Sequence, residues 1–212
     1  MEVSSKMFKA ILIGVADEIK RNVSCLTELD AEIGDGDHGV NMDKGFSKIK
    51  EVLLNFETDD IGEILNASGK VLLNEIGGAM GPLYGGGFVN ASIALKGKNS
   101  LNKNDIYILF NSMLELINEI APAKVGDKTL VDTLEPFVNE YKNLMQCNNL
   151  VVTFEGALKK AKEGMESTKD LISKVGRSSR LFERSKGHID AGAFSCYLIL
   201  KTFYNFIYKM KG

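Results

Sequence analysis

The densest group of cation-binding residues lies in residues 28–45, ELDAEIGDGDHGVNMDKG. Asp30, Asp35 and Asp37 fall within eight residues, interleaved with Gly34, Gly36 and Gly39 and joined by His38 and Asn41. Three ionised carboxylates this close repel one another, which raises the proton affinity of at least one of them unless a cation sits between. A divalent ion removes the conflict, and the glycines let the backbone fold the oxygens around one point. Gly34 to Gly39 also has the spacing G-x-G-x-x-G. A dinucleotide loop of that pattern needs bare amides facing pyrophosphate, whereas Asp35 and Asp37 would repel it. An EF-hand loop needs a bidentate Glu at its last position; counted from Asp30 that place is Asn41, and from Asp35 it is Phe46. The reading that remains is a carboxylate cup for Mg²⁺ able to bridge to phosphate oxygens, with a solvated acidic turn as the alternative.

Three further stretches carry polar chemistry. GGAMGPLYGGGF, residues 77–88, reads as a glycine turn entering a helix at Pro82. Amides uncovered at Gly77, Gly78 and Gly81 would form a phosphate seat. The same glycines also suit a close helix–helix contact. APAKVGDK, residues 121–128, is a loop leading to Thr129. Of the four arginines, Arg177, Arg180 and Arg184 share one eight-residue window, while Arg21 stands apart. Arginine is the preferred fork for phosphate oxygens, so this window is a candidate anion contact; a solvated helical face is the plainer alternative. The only histidines, His38 and His188, both lie in polar, glycine-containing stretches. No P-loop pattern and no nucleophile elbow occurs. Metal, amides and arginine together describe a polyphosphate site, for phosphoryl transfer or metal-dependent ester hydrolysis.

These motifs need elements to position them. Apolar residues at helical spacing predict helices over 4–24, 42–56, 61–76, from Pro82 onward, 104–120, 130–146 with Pro136 kinking it, 153–169 and 193–210. Asp59 or Asp60 can cap the third, and Asp127 or Thr129 the one after the 121–128 loop. No alternating strand pattern stands out. The expectation is an all-α bundle of about eight antiparallel helices, one domain over 1–212. Connections in such a bundle alternate between its ends. Loops 28–41, 77–82, 121–129 and 174–192 follow alternate helices, so all four should share one end.

At 212 residues, 44% hydrophobic and 25% charged, the chain has the composition of a soluble protein with one substantial core. A net charge of −2 gives no footprint for nucleic acid. Cys25, Cys147 and Cys196 are widely spaced and read as buried small residues of a reducing cytoplasm. No apolar run reaches membrane-spanning length, and MEVSSKMFKA lacks a signal-peptide layout, so a cytoplasmic location is expected.

LDAEIGDGDHGVNMDKGF, GGAMGPLYG, VGDKTLVDTLEP and GRSSRLFERSKGHIDAGA resemble, in order, the motifs of the nucleotide-binding L subunit of bacterial dihydroxyacetone kinase, and the likeness covers essentially the whole chain. The resemblance implies an eight-helix barrel with ADP or ATP and two Mg²⁺ ions at one end. It places metal ligands on Asp30, Asp35 and Asp37. Nucleotide contacts fall on His38, Asn41, Ala79, Met80, Gly126, Thr129, Arg177, Asp190, Ala191 and Gly192. It further implies partner chains: an M-type subunit whose phosphohistidine recharges bound ADP, and a K-type subunit holding dihydroxyacetone. No catalytic base is assigned here; phosphate stabilisation falls to the metal ligands and Arg177. The alternatives are direct ATP use on another short ketose or polyol, or a nucleotide-loaded regulator of a transcription factor. The chain departs from the family pattern at Met80, where Ser is common, at Ala191, where Pro is common, and at Arg180 and Phe182, where Tyr and Gly are usual.

Overall fold

Ser4 opens the first helix by accepting a hydrogen bond from the Met7 amide at 3.3 Å. Helix α1, Ser5–Arg21, then buries Phe8, Ile11, Leu12, Val15 and Ile19 along one stripe. In this computed structural model, which describes residues 1–210, the helix stops at Asn22, earlier than its apolar pattern predicts. The Asn22 amide group donates to the Glu18 carbonyl at 2.8 Å, a local bond that competes with continuation of the helical ladder. A separate helix α2, Val23–Ile33, follows at once. Asp30 therefore sits in the last turn of a helix, and the loop expected over 28–41 shrinks to residues 34–37. Helix α3, His38–Leu54, starts four residues sooner than predicted, which puts His38 and Asn41 in its first turn.

Helix α4, Ile61–Glu75, is capped by Asp60, whose Oδ1 accepts from the Gly62 amide at 2.7 Å. A π-helical turn, Gly81–Gly85, runs directly into α5, Gly86–Ala94. An added Cβ on Gly69 would meet the Gly85 carbonyl oxygen, and one on Gly85 would meet that of Gly69, so α4 and this turn touch backbone to backbone. Helices α6, Lys103–Ile120, α7, Val131–Leu144, α8, Leu150–Ser167, and α9, Ala191–Lys209, complete the set. Asn102 and Asp105 form a reciprocal capping box on α6. Pro136 lies inside α7 without ending it. Because proline has no N–H, the Asp132 carbonyl loses its intrahelical partner there. Gly164 of α8 packs so close to that oxygen that a Cβ would overlap it.

Contacts run α1–α3–α4–α5–α6–α7–α8–α9 and back to α1, closing an eight-helix ring. Helix α2 is extra, set against α3 and α9. Edge-to-face aromatic pairs fill the interior: Phe110 meets Phe137 at 5.1 Å and Phe203 at 5.3 Å, and Phe137 meets Phe154 at 5.0 Å. The expectation of no strand needs a small correction. Val3–Ser4 pairs antiparallel with Ser100–Leu101, which ties the start of α1 to the segment before α6. The cysteine reading is also corrected: Cys196 is buried, but Cys25 on the outer side of α2 and Cys147 beyond α7 are exposed. Among the described residues no helix is long and apolar enough to cross a membrane.

Candidate functional site

The loops after α2, α4, α6 and α8 meet at one end of the ring and enclose a cavity of about 470 Å³. Its first wall is the acidic turn. The Gly34 amide donates to the Asp30 carbonyl at 2.5 Å, closing α2. The amides of Asp37 and His38 then donate to Asp30 Oδ2 at 3.0 and 3.3 Å, which folds the chain back and aims the Asp30 carboxylate. Gly34 has to be glycine, because a Cβ there would collide with that carboxylate. Gly36 turns the chain at φ 74°.

The result brings one oxygen from each of Asp30, Asp35 and Asp37 within 4.8 Å of the others. Mg²⁺ takes hard oxygen ligands, so these carboxylate donors fit such an ion in type. The Arg177 guanidinium forms an ion pair with Asp35 across the mouth. Both side chains are largely exposed, so the pair contributes little to folding stability and remains free to exchange partners.

His38 lies on the wall behind the cup, and its Nε2 is 3.0 Å from Ser195 Oγ. Ser195 donates to the Gly192 carbonyl at 3.0 Å and stands 2.9 Å from the Tyr84 hydroxyl. With the serine proton on that carbonyl, the imidazole donates from Nε2 and keeps a lone pair on Nδ1. Burial pushes the His38 pKa down to about 4, offset only in part by Asp30, so the ring is neutral at pH 7. Tyr84 and Ser195 carry no motif of their own; their role is visible only once α3, the π-helical turn Gly81–Gly85 and α9 are packed together.

The second wall is the turn of Gly77, Gly78, Ala79 and Met80, with Gly78 at φ 67°. Met80 reaches both the cavity and the core, so its side chain packs as well as lines. Gly81 itself is not on the wall; it is pressed against the Ile76 carbonyl. The third wall begins at Thr129. Asp132, fully buried in the first turn of α7, accepts from the amides of Gly126 at 2.6 Å and Thr129 at 2.7 Å. Gly126, expected as a nucleotide contact, is thereby held behind the wall rather than on it. Asp127, expected as a possible cap, instead accepts from the Lys124 amide at 3.0 Å.

Sequence reasoning missed Lys128. It is buried, its backbone is left-handed at φ 64°, and its ammonium donates to the Thr168 carbonyl at 2.6 Å and to the His188 carbonyl. A lysine is a surface residue by default, so nothing in GDKT marks it as internal. The fourth wall is Asp190-Ala191-Gly192 at the start of α9. Asp190 Oδ2 accepts from the Ala193 amide at 2.7 Å. Burial pushes its pKa up to about 7, with the Ala193 amide and Lys128 opposing.

Leu83, Ile117, Pro122, Ala123, Leu130 and Val131 give the cavity an apolar half facing the acidic one. Such a site can sandwich a flat ring while metal, amides and arginine neutralise attached phosphates.

A helical ring with this divided pocket defines the class, and comparison with known proteins gives the family: the DAK2 domain matches residues 32–205, and the chain belongs to that family. Among its relatives is the PEP-dependent dihydroxyacetone kinase, ADP-binding subunit DhaL, of Escherichia coli (strain K12). The two are 39% identical over 83% of this chain and 84% of that one. The ADP-binding subunit of PEP-dependent dihydroxyacetone kinase 2 from Listeria innocua is 33% identical over 94% of each chain. The crystal structure of the dihydroxyacetone kinase of C. freundii shares the fold, with a TM-score of 0.75 at 24% identity over 94% of this chain and 34% of that one. Its complex with AMP-PNP and Mg²⁺ aligns with a TM-score of 0.72 at 22% identity, over 93% of this chain and 33% of that one.

Proposed function

We propose that this chain is the nucleotide-carrying subunit of a dihydroxyacetone kinase. It holds ADP or ATP with two Mg²⁺ ions, receives a phosphoryl group from a phosphohistidine on an M-type subunit, and passes it to dihydroxyacetone held on a K-type subunit. The observation that carries this is one cavity joining the carboxylates of Asp30, Asp35 and Asp37 to an amide turn and an apolar slot. The relatives' names as ADP-binding subunits support it. Residues 1–212 act as one such domain, in the cytoplasm.

Asp30, Asp35 and Asp37 are the residues that would hold the metal, whose chemistry is to neutralise the phosphate oxygens. The base lies in the slot between Leu83 and Leu130. The Ala79 and Met80 amides receive phosphate oxygens, as does Arg177 once it turns from Asp35. Asn41 and Thr129 contribute polar contacts, and the Asp190-Ala191-Gly192 turn closes the wall. His38 is neutral and its Nε2 is committed to Ser195, so it steadies the Gly192 turn through Nε2 and offers the nucleotide its Nδ1. Catalysis is then positioning plus charge stabilisation, as phosphoryl transfer requires.

The cavity is the one site of this kind among the described residues, and it is already filled by a nucleotide in this account. The lone chain should therefore not phosphorylate free dihydroxyacetone. The assay is purified protein with ATP, Mg²⁺ and dihydroxyacetone, with and without a K-type subunit. Turnover should require the second subunit; equal rates without it would refute the division of labour.

A further inference from the structure

Among the described residues, Lys128 and Phe182 are the two non-glycine residues with positive φ. Lys128 is held there by its buried ammonium. Phe182 is different. Its backbone stands at φ 49° and ψ −128°, a conformation that a bulky residue rarely adopts, yet its side chain is 73% exposed and gains little from its own chain. The strain is imposed from below. Fully buried Ser185 donates to the Phe182 carbonyl at 2.6 Å and accepts from the Ser173 amide at 2.9 Å. Local strain that persists because its surroundings fix it is a mark of function.

The location narrows that function. Phe182 belongs to the 3₁₀ segment Arg177–Ser185, whose first residues, Arg177 and Ser178, line the cavity. Phe182 is therefore carried, exposed, on the segment that forms one side of the mouth. Along the chain, residues 177–186 carry Arg177, Arg180, Arg184 and Lys186 against a single acid, Glu183, in a protein whose net charge is −2. A segment that combines an exposed aromatic with arginines has the composition of a binding hot spot rather than of ordinary surface. Val40, Ile120 and Val125 add exposed apolar groups at the same end of the bundle.

We infer that Phe182 is a docking anchor for the acceptor-bearing partner subunit, inserting into an apolar socket bordered by carboxylates, with Arg180 and Arg184 pairing to that border. This rests on the proposed function: a phosphoryl group that leaves the mouth for an acceptor on another chain requires that chain to meet this rim. Fixing the phenyl in advance removes the ordering cost of binding.

The test compares Phe182→Ala, which removes the ring, with Phe182→Gly, which also relieves the backbone. Both are loaded with ADP and Mg²⁺ and titrated with the K-type subunit from the same source. Both should lose about tenfold or more in affinity for that subunit, and transfer should need correspondingly more of it. ADP affinity should stay within about twofold of the parent, since Phe182 lies off the cavity wall. Phe182→Gly should melt higher than Phe182→Ala. Unchanged partner affinity, in a parent chain that transfers normally, overturns this inference alone. So does a Phe182-dependent attachment to phosphatidylserine vesicles, or a Phe182-dependent dimer of this chain, with partner affinity untouched. A parent chain that binds ADP but neither meets nor serves the K-type subunit overturns the inference and the functional reading together.

Discussion

Arg177 has two possible partners in this site, and the competition between them is what its position offers. In the structure it neutralises Asp35, one of the three cup carboxylates. Under the proposed function, Mg²⁺ held by that carboxylate would free the guanidinium for phosphate. A charge-assisted bond of that kind is worth about 1.5–3 kcal/mol, so Arg177→Ala should weaken ADP binding about tenfold or more. Arg180→Ala, farther along the same segment and off the cavity wall, should leave ADP binding unchanged. Calorimetry on the two variants separates them, and equal losses in both would contradict the assignment. The carboxylates, Arg177 and the glycine turn were legible because their chemistry is written in residue type and spacing. Tyr84 and Ser195 were not, since a hydroxyl declares its partner only when three helices have brought it there.

At the scale of elements, the site depends on how short each connection is. Asn22 ends α1, and a second helix, α2, takes up most of what the sequence reads as the loop over 28–41; this carries Asp30 to the end of a helix, where the following amides can bind its carboxylate. The apolar pattern could not show this, because α2 buries only Leu26 and Ile33. The loop before α7 depends on Lys128 in the same way. Its ammonium joins the Thr168 and His188 carbonyls, pinning the segment after α8 to the wall before α7. Lys128→Met would take this donor from the His188 carbonyl and leave the Thr168 carbonyl only the Leu171 amide at 3.3 Å, and should cost about 2–4 kcal/mol of unfolding free energy. Chemical denaturation measures this, and a midpoint equal to that of the parent would show that the ammonium is dispensable. Gly126, to which the resemblance gives a nucleotide contact, has its amide on Asp132, so Asp132 fixes the turn that precedes Thr129.

For the whole molecule, periodicity and loop order carried the helical bundle and its polarity, and the family resemblance carried the closed ring. Helical periodicity gave the all-α class, and the alternation of loops gave the single end on which every unusual polar motif falls. The ring closes α9 on α1, and the aromatic cluster of Phe110, Phe137, Phe154 and Phe203 holds the far walls together, so the four loops present a fixed cavity. Periodicity could not supply the two-residue strand pair or the exposure of Cys25 and Cys147, because both depend on which face a short segment turns outward. The central claim is that this cavity binds nucleotide through a metal held by Asp30, Asp35 and Asp37. Calorimetric titration of ADP into the parent chain and into Asp35→Asn, each with Mg²⁺ and with a chelator, tests it most directly. The parent should bind ADP tightly only with Mg²⁺, and Asp35→Asn should lose most of that metal-dependent gain, about tenfold or more in affinity. ADP binding that is equally strong in chelator, and unaltered in Asp35→Asn, would contradict the account.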